Sequence, residues 1–137
     1  MADTEGKVTG LGGVFMKCED REGLVQWYRE KLGFPYDGYG ASFPFREDHD
    51  PDQRAYNVWG PFKSDTDYFK PSKREFMVNL RVDNLDALLV KLKAVGIEMV
   101  GEKEEYDYGK FAWIIDPEGT KIELWEQVGD PPPPHED

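Results

Sequence analysis

One carboxylate in this chain is placed where it calls for an explanation. Asp116-Pro117-Glu118-Gly119 reads as a tight turn, and the stretch Lys121-Ile122-Glu123-Leu124-Trp125-Glu126 behind it alternates in polarity. Proline fixes φ early in such a turn, and glycine supplies the left-handed conformation that other residues resist. In a strand with period two, Ile122 and Leu124 share one face while Glu123 and Trp125 share the other. A carboxylate beside an indole on an otherwise covered face suits a general base or a ligand anchor. Desolvation there would raise its pKa.

The same alternation brings other polar groups to that face. If Val14, Met16 and Cys18 point to a helix layer, Phe15 and Lys17 point away from it, and Met77, Asn79 and Arg81 do the same on a second strand. Lys17, Asn79, Arg81 and Trp125 therefore join Glu123 as candidate ligand-binding residues, and Asn57 in the strand that ends at Trp59 is counted with them. The competing structural reading is an ion pair between Glu123 and Arg81 or Lys17, which would lower the carboxyl pKa. The sequence does not choose between them. Aromatic residues make up 14% of the chain, enough that some must line an interface or a ligand site as well as a core. Trp59, Tyr108 and Tyr68-Phe69 are candidates to wall or lid a cleft that suits a planar or cationic ligand, and packing across a dimer is the alternative.

These residues need elements to hold them. Gly13 to Asp20 reads as a strand entering a helix of about Arg21 to Leu32, with Leu24, Trp27, Tyr28 and Leu32 at helical spacing. Asp20 is its expected N-cap and Gly33 its stop. Met77 to Asn84 repeats the pattern, and a second helix runs to Val95 with Leu85, Leu88, Leu89, Leu92 and Val95 on one face, capped by Asp83 or Asn84 and by Gly96. Strand candidates follow each helix: Tyr36 to Tyr39, Ala41 to Phe45 and Arg54 to Trp59, then Glu98 to Lys103, Gly109 to Asp116 and Lys121 to Glu126. The reading is βαβββ twice, at an offset of roughly 64 residues from Gly13 to Met77. One helix per module covers one face of an antiparallel-rich sheet, and the other face is left for a cleft, a dimer contact or both.

The length, 137 residues, fits one domain over residues 11–127, with modules of about 11–60 and 75–127. Residues 1–10 read as a flexible leader. Residues 129–137 read as a flexible tail whose Pro131-Pro132-Pro133-Pro134 run favours polyproline II. The net charge of −11 disfavours nucleic acid and anionic membranes as partners, because phosphate binding needs clustered Lys and Arg. Cys18 is the sole cysteine, so no intrachain disulfide forms, and it reads as an inert buried thiol. No apolar run approaches membrane-spanning length, and a cytoplasmic location is the expectation. Asp48-His49-Asp50-Pro51-Asp52 alternates carboxylates but has Gln53 and Trp59 where a calcium loop needs Gly and Glu, so it reads as a solvated loop.

On the repeat, on Trp27-Tyr28-Arg29-Glu30-Lys31-Leu32-Gly33-Phe34, and on Asp116-Pro117-Glu118-Gly119 followed by Ile122-Glu123-Leu124, the chain resembles the vicinal oxygen chelate superfamily. That group includes glyoxalase I, extradiol dioxygenases and bleomycin-resistance proteins. The resemblance implies an α+β fold of two βαβββ modules with open half-barrel sheets around a cleft, and a homodimer, with the modules paired within the chain or exchanged. It implies a divalent metal held at positions matching Gly13, Asn57, Met77 and Glu123. Only Glu123 is a good ligand, since glycine has no side chain, a thioether is too soft, and Asn57 offers one weak carbonyl oxygen. A metal-free cleft binding a small organic molecule is therefore expected, and no cofactor. The alternatives are a glyoxalase-like lyase, isomerase or dioxygenase-type enzyme using Glu123, and a protein-interaction module built on the open sheet face and the proline tail.

Overall fold

The computed structural model describes residues 6–35, 38 and 40–131. Among them the order is β1 (Lys7–Cys18), α1 (Arg21–Leu32), β2 (Ala41–Arg46), β3 (Arg54–Lys63), β4 (Phe76–Asp83), α2 (Leu85–Ala94), β5 (Glu104–Tyr106), β6 (Gly109–Ile115) and β7 (Lys121–Gln127). The strands form one open sheet in the order β2-β3-β1-β4-β7-β6-β5. Each module has the same internal wiring: β1 runs parallel to β3, and β4 runs parallel to β7. The modules join antiparallel through β1 and β4, so the two halves pair within one chain.

Local chemistry sets the helices. Asp20 accepts a hydrogen bond from the Gly23 N–H at 3.0 Å, and Gly33 stops α1 in the left-handed region at φ 73°. For α2 the cap is Asn84, which accepts from the Ala87 N–H at 3.2 Å, and Glu126 of β7 takes the Leu85 N–H at 2.6 Å. Leu85 and Leu88 pack on Val82, Ala112 and Leu124 to form the core of the second module. Val25 packs on Ala41 and Trp59, with Val14, Met16, Leu24 and Tyr28 beside them, to form that of the first. Trp27, Leu32 and Val95, expected on the buried faces, are exposed, and Val25 takes the central place in α1.

Several boundaries differ from the sequence reading. The strand β1 starts at Lys7, because Lys7 to Gly10 pair with β4 across a bulge, so part of the expected leader belongs to the sheet. The strand β3 continues through Pro61 to Lys63. Its pairing with β2 ends at Trp59, so Pro61 lies where β3 is an edge with a partner on the β1 side only, a position that tolerates proline. Glu98 to Lys103 form no strand. The tight connection at Asp107-Tyr108 instead pairs Glu104–Tyr106 with Gly109 to Phe111. All but Gly38 of the strand expected at Tyr36 to Tyr39, and most of the proline tail, lie outside the described residues. No described helix is long and apolar enough to cross a membrane.

The helices cover one face of the sheet. On the other face, residues 64–75, which connect β3 to β4, fold over one end. Phe69 is fully buried there against Met77 and Trp113, and Tyr68 stacks on Phe62 at 5.3 Å between ring centres. The remaining part of that face is the cleft.

Candidate functional site

Glu123 lies in the middle of β7, paired with Asn79 of β4, with only 3% of its surface exposed. A bare carboxylate at that depth would be costly, and three donors answer it. Asn79 Nδ2 donates to Oε1 at 2.6 Å, Trp113 Nε1 donates to Oε2 at 3.0 Å, and the Tyr68 hydroxyl also donates to Oε2. Burial still pushes the Glu123 pKa above the ordinary carboxylate value. The bonds from Tyr68, Asn79 and Trp113, and the charge of Lys121, pull the other way. The Tyr68 phenol is held far above its usual pKa, first by burial and then by the Glu123 charge, so it remains a donor.

Lys121 fastens this arrangement from beneath the covering segment. Its Nζ donates to the Tyr68 carbonyl at 2.6 Å and lies 5.3 Å from the Tyr68 ring centre and 5.9 Å from that of Trp113. Burial lowers its ammonium pKa, and the Glu123 charge raises it again.

Beside Glu123 opens a cavity of about 330 Å³. Glu123 and Asn79 supply its polar part, and Phe15, Tyr56, Phe62, Phe111 and Trp125 supply much of its wall. Its size and its mainly apolar walls with few polar groups are those of a small-molecule site. Tyr108, half exposed and stacked on Tyr106 at 5.5 Å, also lines it.

The expected site residues separate into two groups. Asn79, Tyr108, Trp125 and Glu123 meet at the cavity, and Trp59 touches it while its ring packs 4.4 Å from Tyr28 and 5.1 Å from Phe34. Lys17, Asn57 and Arg81 do not line it. Lys17 lies over the Phe69 ring, 5.6 Å from its centre. Asn57 turns its amide to the Leu11 carbonyl at 2.6 Å. The competing ion pair between Glu123 and Arg81 or Lys17 does not form among the described residues. Arg81 is held instead by Glu47 at 3.0 Å, by Gln127 at 2.8 Å and by the Tyr56 carbonyl at 3.1 Å, with its guanidinium 4.9 Å from the Trp125 ring centre. It stiffens the cavity wall from behind.

Three partners were not foreseen in these roles: Tyr68 and Trp113 as donors to Glu123, and Lys121 as the anchor of the covering segment. Trp113 was legible, since it faces Glu123 directly across the β6–β7 hairpin that the turn motif defines. Tyr68 comes from a long connection, and nothing local in the sequence fixes where that connection lands.

The positions that the resemblance assigns to a metal bring few ligand atoms together. Gly13 brings no donor, Asn57 is turned away, and Met77 is fully buried under Phe69. Glu123 already accepts from three N–H and O–H donors. Among the described residues no three His, Cys, Asp or Glu side chains are placed to share a metal.

Residues 13–125 match the family described as glyoxalase-like domain. No curated protein matches the chain. Among solved structures, a Streptomyces coelicolor methylmalonyl-CoA epimerase is similar over 90% of this chain and 100% of its own, with TM-score 0.65 and 13% identity. A Mycobacterium tuberculosis methylmalonyl-CoA epimerase is 21% identical over 94% of this chain and 93% of its own, with TM-score 0.55. The Mn(II)-bound glyoxalase from Novosphingobium aromaticivorans is 16% identical over 93% of this chain and 43% of its own, with TM-score 0.59. The two paired modules, βαββ in the first and βαβββ in the second among the described residues, and the open sheet agree with these likenesses: the chain belongs to the glyoxalase-like domain family of the vicinal oxygen chelate superfamily.

Proposed function

We propose that this protein binds a small organic molecule in the aromatic cavity beside Glu123, without a divalent metal. The observation that carries the reading is the setting of Glu123 itself. Its carboxylate is buried next to an aromatic-walled cavity and is supported by Tyr68, Asn79 and Trp113 rather than by metal-ligating neighbours. A carboxylate held in this way is rigid and poorly hydrated, so a ligand donor that reaches it displaces little water. The ring walls contribute buried area with few soft torsions.

A second reading has its own support. Burial raises the Glu123 pKa, the direction that suits a base taking a proton from carbon. Two of the similar structures are named as epimerases and one as a glyoxalase, although identities of 13–21% speak for the fold alone. The three hydrogen bonds work against this role, because each favours the ionised carboxylate and weakens it as a base.

Binding followed by exchange separates the two. Compounds that quench tryptophan fluorescence of chelator-treated protein are incubated with it in D₂O and followed by proton NMR. The binding reading expects hits that return unchanged. Deuterium entering a carbon position with wild type, and failing to enter with Glu123→Gln, would replace it by the enzymatic reading.

A further inference from the structure

The charges around the cavity narrow the class of ligand, an argument that rests on the binding role proposed above. Among the described residues lining the cavity, Glu123 is the sole carboxylate, and no Lys, Arg or His joins it. Arg81, Lys121 and Lys17, the basic residues on the same face of the sheet, are engaged elsewhere. Arg81 lies behind Trp125 and is matched by Glu47, Lys121 is tied to the Tyr68 carbonyl, and Lys17 sits over Phe69. The walls add to the same sign. Phe15, Tyr56, Phe62, Phe111 and Trp125 present ring systems, whose faces carry the negative part of the aromatic quadrupole.

Hydrogen bonding on the carboxylate is also uneven. Oε2 accepts two bonds, from Tyr68 and Trp113, whereas Oε1 accepts one, from Asn79. A carboxylate oxygen takes two donors, so Oε1 has room for one more. We infer that the cavity takes a planar aromatic cation, such as an amidine or a protonated nitrogen heterocycle, with its N–H on Glu123 and its ring among the aromatic walls. Anionic ligands are disfavoured, because among the described residues no cationic side chain lines the cavity to receive them. The overall charge of −11 favours approach of the same class.

Three molecules of one shape test this: 2-naphthamidine (cationic), 2-naphthamide (neutral) and 2-naphthoate (anionic). Each is titrated into chelator-treated full-length protein and followed by tryptophan fluorescence. The amidine should bind about tenfold or more tighter than the amide, with the naphthoate weakest. In Glu123→Gln that advantage should disappear. The variant changes the net charge by one unit only, so an amidine preference that survives it would be general attraction to an acidic surface and would overturn the inference. Equal binding of amide and amidine, or tightest binding of the naphthoate, would also overturn it while leaving the cavity as a ligand site. Failure of all three to bind would count against the cavity reading itself. Circular dichroism of the variant confirms that it is folded.

Discussion

Glu123 couples the site to the stability of the fold through its proton. Its folded-state pKa is raised above the ordinary value of 4.5, so the folded chain holds that proton more tightly than the unfolded one. The stability this contributes is present below the ordinary carboxylate range and is lost as pH rises through the folded value. Urea unfolding of wild type and Glu123→Gln from about pH 4 to pH 8 should therefore show wild type losing stability relative to the variant as pH rises. A constant difference across that range would contradict the burial argument. Tyr68→Phe removes one donor and leaves the carboxylate less well answered. It should cost about 1–3 kcal/mol at neutral pH and steepen the same pH dependence. At this scale the turn motif and the alternation along the strands put Glu123 on one face with Trp125 and Asn79 from sequence alone, and the structure pairs it with Asn79. The identity of its donors was less accessible. Charge complementarity suggested Arg81 or Lys17, but Glu47 and Gln127 compete for Arg81, and Lys17 ends at Phe69.

The elements hold the site through a few contacts that reach far along the sequence. Arg81 on β4 and Glu47 just after β2 form a pair with side chains 8% and 15% exposed, tying an edge of the sheet to its middle. Arg81→Met should lower unfolding stability by about 3 kcal/mol, since it leaves Glu47 and the Tyr56 carbonyl without that partner and removes the support behind Trp125. A loss below about 1 kcal/mol, in the range of surface pairs, would show that the contact is a surface one in effect. The bulge in β1 matters in a different way. Gly12 is buried, and a Cβ there would overlap Asn79 Oδ1 and crowd Trp125. Gly12→Ala should destabilise the fold by about 1–3 kcal/mol and weaken ligand binding, because Asn79 must move off Glu123. Unchanged binding would separate Asn79 from the site. The helices were the most legible elements, as their caps at Asp20, Gly33 and Asn84 are local signals. The starts of β1 and β5 were not. Pairing partners decide them, and the glycines in β1 conceal its strand character.

In the whole molecule the site belongs to neither module alone. Phe15, Tyr56 and Phe62 come from the first, Asn79, Phe111, Glu123 and Trp125 from the second, and residues 64–75 between them bring Tyr68 across to Glu123. The repeat in the sequence made the two-module fold legible. The covering segment has no counterpart in the repeat, so the part of the face that it closes had to be seen in the structure. Metal independence of ligand binding is the claim on which this account turns. The most direct measurement is the thermal shift produced by a planar aromatic ligand on wild type and Glu123→Gln, each before and after exhaustive chelation, with bound metal determined on the same samples. The melting temperature of wild type should rise by an amount that chelation leaves unchanged and that Glu123→Gln reduces. A rise that disappears with chelation and returns with a stoichiometric divalent ion would contradict that claim.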